Sequence, residues 1–223
     1  MTKNYIIAID AMGGENSPNK NIEGLKLFIE KNSNKSDFFF HIYGDEDLIN
    51  KEIIKQKKHK KNYKIFHTSS VVSDEETPLT AIKNSKNSSM WNSINSQTTT
   101  GADISLSAGN TGVLLVISRM ILKPMDNVNK PALAGLWPSK KGMSVVLDLG
   151  ANVECDEKNL IDFAELGSAL YKSIFPNEIP KVSLLNIGSE EIKGTDILKK
   201  TYSKLKEISK YGDFIFNGYI EGN

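Results

Sequence analysis

ADISLSAGNTGVLLVIS, residues 102–118, changes character twice within a short distance. ADISLS is predicted to form a short buried strand, and VLLVIS has the continuous apolar character of a core-facing helix. SAGNTG lies between them and supplies the small and polar residues of a tight turn. A strand that passes through such a turn directly into a helix is typical of an α/β protein in which helices cover a mostly parallel sheet.

The same alternation extends in both directions along the chain. Pro18 is predicted to open the first helix with Ser17 as its N-cap, and Ile22, Leu25 and Ile29 fall on one face of that helix. Further strands are predicted at 4–10, 38–43, 64–69, 132–139, 143–150, 181–187 and 213–220, and further helices at 47–56, 78–95, 111–121, 159–174 and 195–209.

One connection breaks the alternation. Residues 140–142 are too few to cross over between parallel strands, so the strands on either side of them should pair antiparallel. The sequence therefore predicts a three-layer α/β/α sandwich with a mostly parallel, mixed sheet, built as a single α/β domain over residues 1–223. The strand near Ile220 is not followed by a covering helix, which predicts that the fold continues past Asn223.

Composition excludes several classes of protein. The chain has 223 residues, of which 39% are hydrophobic and 25% charged, and this is typical of soluble globular proteins. A net charge of +1 gives no electrostatic indication of nucleic-acid binding. Cys155 is the single cysteine, so an internal disulfide is impossible. No apolar stretch is long enough to cross a bilayer.

Small and polar residues collect where the predicted strands end, and in α/β sheets ligands bind beyond the carboxyl ends of the strands. These candidate site residues are Asp10, Gly13, Gly14, Ser107, Gly109, Asn110, Thr111, Gly112, Asp148, Gly150, Asn152, Asn186, Gly188, Glu190, Glu191, Lys193, Gly194, Asn217 and Glu221.

The turn at 107–112 has two interpretations. Free backbone N–H groups at a helix N-terminus, with Ser107, Asn110 and Thr111 as side-chain donors, would bind an anion such as phosphate. Asn110 and Thr111 would equally serve a helix cap that holds no ligand. The G-x-x-G spacing excludes a dinucleotide fingerprint, and a Walker lysine and a G-x-S-x-G elbow are both missing from the sequence. The three histidines lack metal-ligand spacing, so no metal is expected.

Several of these stretches resemble one family, the phosphate acyltransferases of bacterial phospholipid synthesis (PlsX type). The matching segments are IAIDAMGG (7–14), NSSM (87–90), SAGNTG (107–112), KPALAGLWP (130–138), VVLDLGAN (145–152), LLNIGSEEIKG (184–194) and NGYIEG (217–222). Members of that family continue well beyond the last segment, so the chain resembles their N-terminal two-thirds.

The resemblance implies a reaction in which acyl-(acyl carrier protein) and inorganic phosphate give acyl phosphate and free carrier protein. It also implies an isocitrate-dehydrogenase-like fold, a homodimer, no cofactor, a cytoplasmic location with loose attachment to the inner membrane surface, and a downstream glycerol-3-phosphate acyltransferase as a possible partner. In this scheme Lys193 neutralises charge on phosphate or the oxyanion, Asn152 and Asn186 orient the acyl carbonyl, and Glu190 and Glu191 order Lys193. Two alternatives stay open: a short-chain phosphotransacetylase acting on coenzyme A thioesters, and a non-catalytic anion-binding fragment.

Overall fold

The computed structural model describes residues 4–32, 37–55, 62–140, 142–191 and 193–222. Helices and strands alternate through most of this length. Their order is β1 (Tyr5–Asp10), α1 (Asn19–Lys31), β2 (Phe38–Gly44), α2 (Glu46–Lys55), β3 (Tyr63–His67), α3 (Pro78–Asn84), α4 (Ser89–Thr99), β4 (Ile104–Leu106), α5 (Thr111–Leu122), β5 (Gly135–Ser139), β6 (Gly142–Val146), α6 (Glu157–Ile174), β7 (Lys181–Leu185), α7 (Asp196–Ile208) and β8 (Ile215–Ile220).

The chain divides into two compact units, Met1–Lys123 and Pro124–Asn223. Each unit has its own strands, helices and core, and each is described separately below. The expectation of one α/β domain over residues 1–223 stays a prediction.

The first unit is built on a parallel sheet with the strand order β3-β2-β1-β4. β1 lies inside the sheet, which agrees with its continuous apolar sequence. Ile9 and the β2 residues Phe40 and Ile42 form a core with Ile22 of α1 and Ile49 of α2 on one side. Side chains alternate along a strand, so Ala8 and Tyr43 face the opposite side, where they cluster with Ala102. α4 packs against β1 and β2, and its apolar residues form a second core with α5.

The second unit has two two-stranded sheets. β5 and β6 pair antiparallel, with Ser139 opposite Gly142, as the short connection predicts, and β7 pairs parallel with β8. α6 packs on β6, β7 and α7. Leu205 of α7 is fully buried with Leu184, Phe214 and Tyr219, so the apolar face of α7 packs on this sheet. Within the described residues, β5 and β6 form a sheet of their own instead of joining a single mixed sheet.

Two local predictions are wrong. The helix expected over 78–95 is two helices, because Ser85 ends α3, Asn87 adopts a left-handed φ of 69°, and Ser88 caps α4. A serine hydroxyl that accepts the N–H of Trp91 offers the backbone an alternative to continuing the helix. Ser17 is not an N-cap: its hydroxyl contacts the carbonyls of Met12 and Gly14.

No helix among the described residues has both the length and the apolar character required to span a bilayer.

Candidate functional site

Asn110 caps α5 and also anchors the loop before α3. Its Oδ1 accepts the N–H of Val113 at 3.1 Å, which is standard N-cap geometry. Its amide nitrogen donates to the backbone carbonyls of Asp74 at 3.0 Å and Glu76 at 2.9 Å. Both amide hydrogens of Asn110 are therefore used inside the protein, and the residue orients the start of α5.

Ser107 and Asp10 join the ends of β4 and β1. The Ser107 hydroxyl donates to Asp10 Oδ2 at 2.7 Å and accepts the N–H of Gly109 at 3.1 Å. Asp10 is only 1% exposed, and its Oδ1 accepts the N–H of Met12 at 3.2 Å. This buried carboxylate thus has donors from both loops, which holds the two strand ends together.

Gly13 and Gly14 allow the two loops to touch through their backbones. A Cβ at Gly13 would lie 2.5 Å from Asp10 Oδ2 and 2.9 Å from the nitrogen of Gly109. Gly14 has a φ of +87°, and a Cβ there would lie 2.6 Å from the carbonyl oxygen of Ala108. Neither position has space for a side chain, so the pair of glycines is required by the close approach of the loops.

The donors left for a ligand at this site are fewer than the sequence predicts. Ser107 donates to Asp10 and Asn110 to two carbonyls, whereas Thr111 is exposed and its hydroxyl bonds to no other described residue. The first N–H groups of an α-helix have no partner within the helix, so those of Thr111 and Gly112 remain available. Together with the helix dipole they form an arrangement that favours an anion.

Asp148 and Asn152 are joined to each other and to the segment 131–133 by hydrogen bonds in the second unit. Asp148 accepts the N–H of Leu133 at 2.8 Å and that of Asn152 at 2.7 Å. Burial alone would raise the pKa of Asp148, but these hydrogen bonds outweigh it and the pKa is lowered. The Asn152 amide donates to the carbonyl of Pro131 at 2.8 Å and to Asp148 at 3.1 Å. Donation from Asn152 to an acyl carbonyl would require one of these bonds to open, and the predicted role stays a prediction.

The loop after β7 brings Asn186, Glu190 and Lys193 together. Lys193 Nζ lies 2.9 Å from Glu190 Oε1, and this pairing raises the pKa of Lys193. The Asn186 amide donates to the backbone carbonyl of Lys193 at 3.2 Å, whereas its buried Oδ1 bonds to no other described residue. Cβ atoms at Gly188 and Gly194 would lie 2.5 Å from Lys193 Cδ and 2.6 Å from Asn186 Oδ1, so both glycines are part of this packing.

Glu191 contacts two residues of α7, and its predicted part in ordering Lys193 stays a prediction. Glu191 accepts a 2.6 Å hydrogen bond from the hydroxyl of Tyr202 and lies 3.6 Å from Lys206. Tyr202 was not a candidate site residue because its position in an amphipathic helix gives no indication of this contact. Asn217 lies within β8 and Glu221 directly follows it, and both are exposed. Gly150 has a left-handed φ of 82°.

The structure therefore groups most of the candidate residues at three places. Asp10, Gly13, Gly14 and 107–112 meet in the first unit, while the described residues of 148–152 and of 186–191 with 193–194 form two loops in the second. Across the described residues, no group of three or more His, Cys, Asp or Glu side chains is arranged to hold a metal ion. Burial raises the pKa of the Cys155 thiol, which opposes a nucleophilic role for it.

The fold is similar to that of solved structures named phosphotransacetylase. The EutD phosphotransacetylase from Staphylococcus aureus superposes with a TM-score of 0.67 at 14% identity, covering 99% of this chain and 69% of that structure. A phosphotransacetylase from Streptococcus pyogenes gives a TM-score of 0.70 at 14% identity, with coverage of 98% and 68%. These likenesses, with the alternating helices and mostly parallel strands, show a three-layer α/β/α fold.

A family model described as "Fatty acid synthesis protein" matches residues 5–223, and the chain belongs to that family. The phosphate acyltransferase of Pelagibacter ubique (strain HTCC1062) is 50% identical over 223 residues, which is 100% of this chain and 65% of that protein. The phosphate acyltransferase of Ehrlichia ruminantium (strain Gardel) is 40% identical over 215 residues, covering 96% and 62%. The chain spans slightly less than two thirds of the length of these relatives.

Proposed function

We propose that this chain carries out, as part of a phosphate acyltransferase, the formation of acyl phosphate from acyl-(acyl carrier protein) and inorganic phosphate. The observation that carries the proposal is the N-terminus of α5, where the N–H groups of Thr111 and Gly112 and the Thr111 hydroxyl are available to an anion. Family membership and relatives named phosphate acyltransferase support phosphate as that anion. Glycine packing and the Ser107–Asp10 bond keep the loop in this shape before a ligand arrives.

The proposed reaction needs positioning and charge stabilisation more than it needs a base. Near neutral pH a substantial fraction of inorganic phosphate is the monohydrogen dianion, which is already a nucleophile. One phosphate oxygen attacks the thioester carbonyl carbon and forms the new C–O bond. The C–S bond then breaks, and the sulfur leaves with the electron pair and takes the proton of the monohydrogen phosphate. A rigid set of donors at α5 would supply the orientation that this step lacks in water.

In the second unit, Lys193 is the proposed electrophilic group. Its ammonium would neutralise charge on phosphate or on the oxyanion that develops at the carbonyl, and Glu190 would hold it in place through their 2.9 Å ion pair. Asn186 is proposed to orient the acyl carbonyl through an amide N–H, since one of its two hydrogens is engaged with the carbonyl of Lys193.

The test measures acyl phosphate trapped by hydroxylamine with the full-length protein and an acyl-(acyl carrier protein) substrate. We expect Lys193→Ala to lower kcat on the order of a hundredfold, the loss typical of a group that stabilises an oxyanion. Folding should be unaffected, because an exposed ion pair contributes little to stability. Lys204→Ala is the matched control, since Lys204 is also exposed and pairs with Glu157 at 3.1 Å. Equal rates for the two variants would refute the role of Lys193.

A second candidate is acyl transfer between phosphate and a coenzyme A thioester, which is favoured by the shared fold with two proteins named phosphotransacetylase. Steady-state rates with acyl-(acyl carrier protein) and with acetyl-coenzyme A, each at saturating phosphate, distinguish the two. Phosphate binding without release of free carrier protein or coenzyme A would instead support the non-catalytic anion-binding alternative.

The proposal also covers the oligomeric state, the location and the partner enzyme of the protein. Homodimer formation, cytoplasmic location, loose contact with the inner membrane surface and transfer of the acyl phosphate to a glycerol-3-phosphate acyltransferase are all proposed from the family. Light scattering of the full-length protein tests the dimer, and co-sedimentation with vesicles of anionic phospholipid tests the membrane contact.

A further inference from the structure

The middle of the loop after β7 is attached to α7 through Glu191. Its Oε1 accepts a 2.6 Å hydrogen bond from the hydroxyl of Tyr202 and lies 3.6 Å from the ammonium of Lys206, and both partners belong to α7. Among the residues that the structure describes, no other hydrogen bond or ion pair joins positions 188–191 and 193 to an element outside the loop. The place of this part of the loop therefore depends on the contacts of Glu191 with α7.

Aromatic side chains of β8 hold the Tyr202 ring. The ring packs edge-on against Phe216, with centroids 5.2 Å apart, and lies tilted against Tyr219 at 4.8 Å. Lys206 Nζ lies 5.7 Å from the centroid of the same ring. A tyrosine ring that is packed in this way presents its hydroxyl from a fixed position, so Tyr202 is suited to hold a loop in place.

The hydrogen bond between Tyr202 and Glu191 is the stronger of the two contacts with α7. Its length falls in the range of a hydroxyl that donates to an ionised carboxylate. The bond raises the pKa of Tyr202 and lowers that of Glu191, so the phenol stays protonated and the carboxylate stays ionised near neutral pH. Lys206 adds less, because its side chain and that of Glu191 are both 64% exposed and water screens their attraction.

Glu191 follows directly after Glu190, the residue that pairs with Lys193. Glu190 Oε1 lies 2.9 Å from Lys193 Nζ, and the Glu190 carbonyl accepts the backbone N–H of Lys193 at 3.0 Å. A Cβ at Gly188 would lie 2.5 Å from Lys193 Cδ and 2.7 Å from Glu190 Oε2, so both side chains lie directly over the backbone of Gly188. Glu190 and Lys193 thus belong to one compact turn, and a displacement of Glu191 would displace that turn.

We propose that Tyr202 is a positioning residue for the formation of acyl phosphate and acts through Glu191 to hold Lys193 at the reacting carbonyl. This rests on the proposed function and deepens it, since Lys193 touches the substrate and α7 fixes where Lys193 lies. An ammonium stabilises an oxyanion only at the correct distance, so Lys193 on an unattached loop would lose part of its effect. Glu191 would then order Lys193 without touching it.

Two conservative substitutions separate this role from a general effect on folding. Tyr202→Phe removes the hydroxyl and keeps the ring that packs on β8. Tyr171→Phe is the matched control, because Tyr171 in α6 also donates to a glutamate, Glu178, at 2.6 Å and lies outside the loop. Glu191→Gln keeps an oxygen that can accept from Tyr202, whereas Glu191→Ala does not.

The experiment measures kcat and KM for acyl phosphate trapped by hydroxylamine with the full-length protein, and thermal unfolding checks that each variant folds. We expect Tyr202→Phe and Glu191→Ala to lower kcat about tenfold with KM unchanged, the effect of losing one hydrogen bond to a charged group. Glu191→Gln should recover most of that loss, and Tyr171→Phe should match the wild type. In a Lys193→Ala background, Tyr202→Phe should change kcat by less than about twofold, because the group that it positions is missing.

The outcomes separate the positioning role from the proposed function. A wild-type rate for Tyr202→Phe, together with a slow Lys193→Ala, overturns the positioning role and leaves the proposed function intact. An equal loss from Tyr202→Phe with and without Lys193 would show that the hydroxyl supports the fold in general, and this also overturns the positioning role. A wild-type protein that forms no acyl phosphate refutes the proposed function itself, and the positioning role with it.

Discussion

Gly13→Ala is expected to force apart the two loops of the candidate phosphate site. The added methyl group would lie 2.5 Å from Asp10 Oδ2, 2.9 Å from the nitrogen of Gly109 and 2.9 Å from Ser107 Oγ. Two of these atoms belong to the Ser107–Asp10 hydrogen bond and the third is backbone, so none can move aside without breaking the contact between β1 and β4. Gly13 does not have a left-handed φ, and the cost is therefore steric.

The magnitude follows from overpacking at a buried site, which costs about 1–3 kcal/mol of unfolding free energy. Gly24→Ala is the matched control, since a Cβ at Gly24 meets nothing within 4 Å and replaces glycine inside a helix. That change should stabilise the protein by about 0.5–1 kcal/mol. The two alanine variants are thus expected to differ by roughly 1.5 to 4 kcal/mol, in opposite directions from the wild type.

Urea unfolding followed by Trp91 fluorescence tests this in a Trp137→Phe background. Trp91 packs against the core of the first unit, whereas Trp137 lies in β5 of the second and is 57% exposed. The signal therefore reports on the unit that contains both glycines. If Gly13→Ala unfolds at the same urea concentration as the background protein, the close contact between the loops is not what requires glycine, and the reasoning fails.

Three further results are expected in the same assays. Ser107→Ala leaves the buried carboxylate of Asp10 short of a donor and should cost about 1–3 kcal/mol by urea unfolding; no loss would show that the pair is not buried as described. Asn110→Ala should cost about 1 kcal/mol as a lost N-cap and about 1 kcal/mol more for the lost donations to the carbonyls of Asp74 and Glu76. Asn110→Asp keeps only the cap acceptor and should recover only the share of the cap in thermal unfolding; equal losses would contradict the cap. The lowered pKa of Asp148 stabilises the second unit fully above its ordinary value of 3.8, and this stabilisation is lost as the pH falls toward the folded-state pKa. The free energy of unfolding, followed through Trp137 from pH 7 to 3, should therefore fall less steeply with decreasing pH for Asp148→Asn than for the wild type. Identical pH dependences would refute the assignment.

The local sequence pattern was sufficient to predict most of the helices and strands. Apolar runs predict β1 and β2 almost to the residue, because a strand buried on both faces must be continuously apolar. The short connection at 140–142 correctly predicts an antiparallel pair, since chain length alone forbids a crossover. The break between α3 and α4 was missed because it depends on one left-handed residue, Asn87, and a serine cap inside an otherwise helical pattern.

The sequence predicts which loops form the candidate site. It does not predict which hydrogen-bond donors of these loops are already engaged within the protein and which are available to a ligand. Small and polar residues at strand ends identify the loops from sequence, because the carboxyl ends of parallel strands share one edge of a sheet. Whether Glu190 or Glu191 contacts Lys193 cannot be read from their adjacent positions, since it depends on where Tyr202 and Lys206 of α7 lie.

The periodicity of apolar residues and the turn-forming residues between them are local properties of the sequence. They were enough to place the strands, most of the helices and the loop at 107–112. The partner of each polar group is a long-range property. Ser107 and Asp10 are 97 residues apart, yet their 2.7 Å hydrogen bond removes the serine hydroxyl from the donors offered to a ligand. Folding brings such groups together through the pairing of β1 with β4, and the hydrogen bonds formed there leave Thr111 and the first N–H groups of α5 as the available donors of this loop.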